Sequence, residues 1–532
     1  MDISRLYHTV RYLKPEQFYF RALYKVKGVC RKLFGIRPCY VRYSPGHPLL
    51  FKAPWIEKPC SYKGDNLFEF LNVCDTFSGE WDSNRQGELW RYNLNYMDFL
   101  LQPSMGAVEG YAWIERFIEA MPANKVANDP YPISLRGINW IKFVYLHHES
   151  LSAEQLQKID TALYSQYLIL AGRVERHLLA NHYLENGFSL LFAAYYFDDN
   201  KFFKLAEKII KSQLEEQILP DGTHFELSPM YHCIILERLL DCYSIIDNGR
   251  HKALSSLMLD KARLMLGWLQ AIVMSDGNIP LLNDSALGIA PLPAELFTYA
   301  KKLGIEWSAV PLGASGYRKF NGDSYDAFVD VAALGPSYNL GHSHADTFTF
   351  VMNVCGKPFI VDTGVSTYSA GERRSYERST RAHNTVTVDG TDSSHVWGAF
   401  RCARRAAVEI ISEDKCSICA KHNGYSPLSV EVYRKFVGRE EDFEIVDEVR
   451  GRNGRNCTAA FHLAPDVEVI SVDKEKVVTS SGTLSFMGAS SVEVEAVEIA
   501  YVYNRLQYAK RISVSFDEKL TTIVAPDQTD VI

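Results

Sequence analysis

No run of this 532-residue chain approaches the roughly 20 consecutive apolar residues that a membrane span needs, which excludes a transmembrane helix. The opening MDISRLYHTVRYLKPEQFYF has no continuous apolar stretch followed by a small-residue cleavage site. The expectation is therefore a chain that is not a secretory precursor, cytoplasmic or peripheral to an inner membrane. A cysteine framework is missing too: there are eleven, an odd number, at irregular spacings, and Cys233 and Cys355 sit in apolar runs as buried thiols would. That usage suits a reducing compartment. The one Cys-x-x-Cys, Cys416 and Cys419, has no second pair to close a zinc site. Excess charge is also absent. With 57 Lys/Arg against 64 Asp/Glu the net charge is -7, no global reason to expect nucleic acid as a partner, so any anionic ligand must be met by local clusters. Internal repeats and long low-complexity segments are lacking as well.

What is present fits two large globular domains, since 532 residues at 47% hydrophobic composition exceed one core. The 30 Tyr, 28 Phe and 8 Trp suit a groove where sugar rings stack, and equally a large core. From about residue 65 to 310 apolar residues recur at helical spacing, as in NLFEFLNVCDTF, GYAWIERFIEAM, INWIKFVYLHH and HCIILERLLDCYSIID. Short Gly/Pro/Asn/Asp stretches separate them, which implies antiparallel helix pairs stacked around a centre or along a solenoid. Near Gly316 the period changes to short β-branched runs such as DAFVDVAAL, TFTFVMNV, PFIVDTG, VEVYRKFVG and FEIVDEV, the pattern of an antiparallel sandwich. The Asn-Gly within RGRNGRN, residues 450 to 456, predicts a tight hairpin. The expected division is 1–64, a basic helical segment; 65–315, helical; and 316–532, β-sandwich. The first 43 residues hold ten Lys/Arg against Asp2 and Glu16. A basic amphipathic helix there either meets an anionic membrane surface or partner, or is a solvated face packed on the helical domain.

Four segments concentrate the chemistry. In GHSHADTFTFVMNVCGKPFIVDTG (341–364), strand periodicity would set His342, His344 and Asp346 on one face. Such groups are costly to bury unless paired or ligating, and His-x-His is a recurrent metal spacing. A hydrogen-bonded structural cluster is the alternative. In RRSYERSTRAHNTVTVDG (373–390), Arg373, Arg374, Arg378 and Arg381 surround His383 and Asn384, either a fork for a carboxylate or sulfate or a surface charge run. NHYLEN places Asn181, His182 and Glu185 at the start of an apolar helix, where capping by Asn181 is the plain alternative. HFELSPMYH repeats the situation with Glu226, Tyr231 and His232.

Together NHYLEN, LPDGTHFELSPMYH, GHSHAD with VDTG, and RSTRAHNTVTVDG resemble the heparinase II/III group of polysaccharide lyases, from about residue 75 to 405. The resemblance implies an α/α toroid joined to an antiparallel β-sandwich, with the active site in the cleft between. It implies that Asn181 neutralises the substrate carboxylate, that Tyr231 acts as base or acid, and that His342 is the partner base. His182 and Glu185 match active-site positions in some members. His344, Asp362 and His383 match the ligands of a structural divalent cation, zinc or similar. Resemblance and polarity also place Arg136, Asn139, Glu226 and Arg378 in the cleft as substrate contacts, with a buried arginine holding loop carbonyls as the other reading. The opening LYHTVRYLKPEQFYFRALYKVKG resembles heparinase-like proteins associated with bacterial surface-polysaccharide synthesis, which implies a uronate-containing surface or exopolysaccharide as substrate.

β-Elimination from a uronate needs charge neutralisation at the carboxylate, a base at C5 and an acid at the leaving oxygen. A tyrosine, with a free pKa of about 10, would have to be lowered by nearby His and Arg to act as the base. Two other classes stay open: a glycoside hydrolase using Glu185 with Glu226 or Asp346 as paired carboxylates, and a non-catalytic glycan-binding component of a polymer-assembly system.

Overall fold

The fold is that of a computed structural model, which describes residues 3–34 and 42–527. Two helices lead, α1 (Ile3–Val10) and α2 (Pro15–Leu33), followed by a three-stranded antiparallel sheet of β1 (Tyr62–Gly64), β2 (Leu67–Phe70) and β3 (Val73–Thr76). The helix expected over NLFEFLNVCDTF is thus two strands. Left-handed backbone at Asp65, Asn66, Leu71 and Asn72 reverses the chain twice, and Phe68 and Phe70 alternate into the core.

Helices α3 (Glu88–Tyr96), α4 (Ala107–Ala120), α5 (Pro130–His147), α6 (Ala153–Ala171), α7 (Ala180–Tyr196), α8 (Asn200–Gln217), α9 (Pro229–Ile245), α10 (Lys252–Ile272) and α11 (Pro293–Lys302) build the toroid. Each odd-numbered helix packs on the next odd one, α3 on α5, α5 on α7, α7 on α9 and α9 on α11, while α4 packs on α6 and α8 on α10. Two concentric layers result. The sequences follow this: α5, α7 and α9 are buried nearly all round, whereas α8 shows one apolar stripe, as an outer helix should. No helix of the described residues is long and apolar enough to cross a membrane.

The β half opens with a four-stranded antiparallel sheet of β4 (Tyr317–Asn321), β5 (Tyr325–Asp330), β6 (Phe350–Val354) and β7 (Lys357–Ile360). After α12 (Glu372–Glu377) come β8 (Val386–Val388), β9 (Val396–Trp397), β10 (Arg401–Cys402), β11 (Val408–Glu413), β12 (Ser417–His422), β13 (Glu431–Gly438), β14 (Phe443–Arg450), β15 (Cys457–His462), β16 (Val469–Val472), β17 (Lys476–Thr479), β18 (Gly482–Val502) and β19 (Arg505–Pro526). The large sheet runs β11-β12-β13-β14-β19-β18-β17-β16, with β15 joined to β19 and β8. Asn453 and Gly454 have positive φ, as a tight turn requires, yet β14 and β15 do not pair in the hairpin expected from RGRNGRN; each pairs separately with β19. Cys355, expected buried, lies exposed in the β6–β7 turn, while Cys233 is buried, and all described cysteines are free.

The four-stranded sheet is the middle layer. Along β5, Tyr325, Ala327 and Val329 enter the sandwich core, while Phe328 joins the toroid core with Tyr317 and Val351. Period-two alternation thus serves two domains at once, which is why β5 is buried at every position. On the toroid side Asp326 accepts from the Ser275 backbone N–H at 3.0 Å and pairs with Lys319 at 3.2 Å. The chain crosses to the large sheet at Gly364, which has φ +69 and bridges Ala500; a Cβ there would lie 1.9 Å from the Ala500 oxygen. Gly364→Ala is expected to cost at least about 2 kcal/mol, through left-handed backbone and a backbone clash together. A thermal melt within a degree of the parent would refute that account of the crossing.

Candidate active site

The residues singled out in the two halves meet at the junction between toroid and sandwich. On the toroid side, Leu179 (φ 62, ψ -151) and Ala180 (φ 51) hold strained backbone immediately before Asn181 and His182 at the start of α7. Asn181 donates its backbone N–H to Glu226 Oε1 at 3.2 Å, and its buried side-chain Oδ1 has no protein partner. His182 is half-buried, with Nδ1 3.2 Å from Glu175 Oε1 and its ring 4.4 Å from that of Tyr131. Leu227 (φ 57) turns the chain between Glu226 and α9. There Ser228 caps the helix, accepting the Tyr231 N–H at 3.3 Å and donating to the Asp284 carbonyl at 2.7 Å.

From the sandwich side, His342 lies flat on Tyr231, ring centroids 3.9 Å apart at 16°. Its Nδ1 is 2.5 Å from Glu226 Oε2. The neighbouring imidazole and the Asn181 N–H outweigh the cost of burial and hold Glu226 down at about 2, so the carboxylate is charged. A charged acceptor fixes the proton on Nδ1 and directs Nε2 away from it. The Tyr231 hydroxyl lies 3.3 Å from that of Tyr368. Burial first, and then Tyr368, push the Tyr231 phenol well above the ordinary tyrosine range. This reverses the expected lowering by cations, because the cations are engaged elsewhere.

Four arginines show where. Arg374 forms a two-pronged pair with Asp284, at 2.5 and 2.7 Å, both side chains fully buried. Arg378, expected to contact substrate, is fully buried with its donors on the carbonyls of Ser343, Leu340, Gly398 and Arg401. Arg373 pairs with Glu377 at 2.7 Å, and Arg381 lies exposed over Tyr376. Arg136 likewise spends its guanidinium on Gln166, Asn95 O and Ala127 O, fully buried in the toroid. Asn139, also buried, donates to the Tyr96 carbonyl at 2.9 Å, positioning that half-buried ring. Arg136 and Arg378 are therefore loop braces. Glu226 orients His342 and Asn181, and does not face substrate directly.

Glu185 is buried in α7 beneath the cleft, 3.3 Å from Arg238, which also reaches Asp241, itself paired with Lys142 at 2.7 Å. Burial raises Glu185 to about 7 against the pull of Arg238. It belongs to a charged floor.

GHSHAD is a loop before β6, not a strand, and its three polar side chains diverge. His342 reaches Glu226, His344 Nε2 is 2.9 Å from Asp284 Oδ1, and Asp346 Oδ2 has no partner. His383 Nδ1 is 2.7 Å from Asp362 Oδ2, and the rings of His344 and His383 are 5.3 Å apart. Among the described residues no three His, Cys, Asp or Glu side chains converge as a metal cage. However, His344 Nδ1 and His383 Nε2 are both buried without a partner, the donor atoms a soft divalent cation takes. Burial pushes His344 down to about 4, leaving it neutral as a ligand must be.

Asp284 and Tyr368 carry no signal in the sequence beyond a polar turn and a loop aromatic. Arg374 stands out in the sequence only as one of four arginines in a charge run. Asp284 sits in Asn283-Asp284-Ser285, where Asn283 Oδ1 accepts the His344 N–H at 2.9 Å and the Asp284 N–H reaches the His342 carbonyl at 3.1 Å.

The family described as heparinase II/III N-terminus matches residues 144–301, and heparinase II/III-like, C-terminal, matches 306–529. A heparin-sulfate lyase of Pedobacter heparinus is 25% identical over 246 residues, 40% of this chain; the match spans 37% of that enzyme's own length. A solved heparinase III superposes with TM-score 0.68 at 14% identity, covering 99% of this chain and 94% of the other. A mutant heparan sulfate lyase of Pedobacter heparinus gives 0.59 at 16%, covering 87% and 81%. At these identities the structures show the fold.

The Asp284 carboxyl is held well below the ordinary range, Arg374 and His344 overcoming burial. A depressed carboxyl contributes stability above its unfolded pKa and loses it as pH falls. Asp284→Asn should therefore cost about 3–5 kcal/mol near neutral pH by leaving Arg374 buried without its counter-charge. The difference from the parent should narrow in acid. Denaturant melts at neutral and acidic pH check this, and a neutral-pH loss under about 1 kcal/mol would remove Asp284 as the central tie.

Proposed function

The chain belongs to the heparinase II/III family, and from that premise we propose that it is a polysaccharide lyase cleaving an acidic, uronate-containing polymer by β-elimination. The observation that carries this is the Glu226–His342–Tyr231 stack: a charged carboxylate, an imidazole with its proton fixed on Nδ1, and a phenol kept protonated by its surroundings. His342 Nε2 takes the C5 proton. The Asn181 side chain donates its Nδ2–H group to the substrate carboxylate and stabilises the enolate-like charge that forms. As C4–O4 breaks and the C4=C5 double bond forms, the Tyr231 hydroxyl gives its proton to O4. His182 and Tyr131 form the wall of the neighbouring sugar subsite, and Glu185 tunes the floor through Arg238. A bacterial surface or exopolysaccharide is the proposed source of the polymer.

The hydrolase reading loses support because Glu185, Glu226 and Asp346 are each at most 3% exposed, leaving no pair of carboxylates to flank a sugar and a water. A divalent cation, zinc by donor set, would be held by His344, Asp362 and His383. There it would occupy the unpartnered imidazole nitrogens and stiffen the loop carrying His342.

On a panel of acidic polysaccharides, the parent should generate the ultraviolet absorbance of an unsaturated uronate. Tyr231→Phe should lower kcat by about 10²–10⁴ with an unchanged melt. New reducing ends without that absorbance would reject elimination, and full activity in Tyr231→Phe would reject the assigned acid. For the cation, elemental analysis of purified protein should give near one metal per chain, falling with His383→Ala together with thermal stability. A metal-free, fully stable parent would reject it.

A further inference from the structure

The basic opening segment is left unused by the cleft. Helix α2 packs on the toroid by one edge only: Gln17 donates to the Leu178 carbonyl at 3.3 Å, Phe20 lies under Arg176, and the Tyr24 hydroxyl reaches the Val174 carbonyl at 2.7 Å. These positions, 17, 20 and 24, follow helical spacing. The opposite side carries Phe18, Ala22, Val26, Val29 and Leu33, again at helical spacing and joined by Tyr19; the large ones among them are between 49% and 76% exposed. Arg21, Lys25 and Lys27 are exposed beside this stripe, and Glu16 is the only acid in the helix. Scattered single apolar residues on a surface need no explanation, but a continuous stripe along about four turns does.

Charge separates the possible occupants. The first 43 residues carry ten bases against two acids, whereas the remaining 489 carry 47 bases against 62 acids. The body carries a net negative charge, and the strongly basic segment also bears an apolar face that no other described residue covers. We propose that α2 is an interfacial helix that docks this protein on an anionic lipid surface, its apolar stripe entering the headgroup region and its Arg and Lys side chains meeting lipid phosphates. The stripe has no acid to offer a basic partner and no shaped pocket for a protein side chain. Gln17 ties α2 to Leu178, three residues before Asn181, so the docked helix is joined directly to the segment that carries Asn181. This inference stands whether or not the reading of the cleft is right.

Vesicle sedimentation tests it with the full chain. The parent should pellet with phosphatidylglycerol–phosphatidylcholine vesicles, weakly with phosphatidylcholine alone, and less at high salt. Val26→Asp with Val29→Asp, both away from the toroid contacts, should cut binding by at least about tenfold without moving the melt. Arg21→Gln with Lys25→Gln should weaken binding while keeping the stripe. Equal binding to neutral vesicles, no binding to either, or a double Val variant that pellets like the parent would overturn the proposal. So would a parent dimer by light scattering that the Val variant abolishes while vesicle binding stays nil.

Discussion

Asp284 is where the two halves of the molecule are fastened at the site. Its backbone and side chain together engage the cap of α9, the carbonyl of His342, the imidazole of His344 and the guanidinium of Arg374. A charged group this deep is unfavourable by itself, since desolvation can exceed the attraction of its partner. It is retained at a position where Tyr231 and His342, which come from different domains, must stack to within 3.9 Å. The carboxylate therefore contributes position more than net stability. Its neighbours Asn283 and Ser285 extend the same tie, one to His344 and Leu227, the other to the first turn of α9.

Around this tie the polar groups sort into layers. On the toroid side lies a buried polar group of Lys142, Asp241, Arg238 and Glu185, in which Asp241 pairs with Lys142 and Arg238 while both Glu185 carboxyl oxygens lack a hydrogen-bond partner. Above it stand the half-buried rings of Tyr96, Tyr131, Tyr231 and Tyr368. Phe68, Trp81, Phe99, Trp113 and Phe117 pack edge to face in the toroid core, whereas the exposed Phe400 meets Tyr368 edge-on at 5.3 Å. The aromatic wealth of the chain thus serves both core and groove: Tyr167, Tyr299 and Tyr317 lie buried in the toroid core, while a phenol at a wet boundary keeps its hydroxyl solvated with its ring buried. Arg136, Arg374, Arg378 and Arg434 are all fully buried and hold carbonyls or carboxylates, so part of the chain's visible cation clusters serves as internal braces, while Arg381 and the bases of α2 stay exposed.

Periodicity read the helices of the toroid and most β-branched runs correctly, since both depend on burial of one face or all faces of a local element. It failed where turns overrule pattern. The residues from Asn66 to Phe77 have helical spacing, yet left-handed positions at their start, Asp65 and Asn66, and in their middle, Leu71 and Asn72, fold them into strands. The long β18–β19 hairpin was not read, because its exposed charges interrupt any apolar run. GHSHAD was placed on a strand where three residues would share one face; a loop sends them to Glu226, Asp284 and the Asp362–His383 neighbourhood instead.

Motif chemistry was legible by itself: Asn181, Glu226, Tyr231 and His342 are polar groups at the ends of apolar elements, and their burial demands partners wherever they fall. Local sequence determined that the chain would have a helical and a β half, and which short segments would carry its chemistry. Which side chains would touch was decided only when β5 joined both cores and Asp284 met Arg374, some 90 residues apart. Contacts at that separation depend on how domains pack, and no local period encodes them; the raised pKa of the Tyr231 phenol, due to burial and then to Tyr368, is decided in the same way.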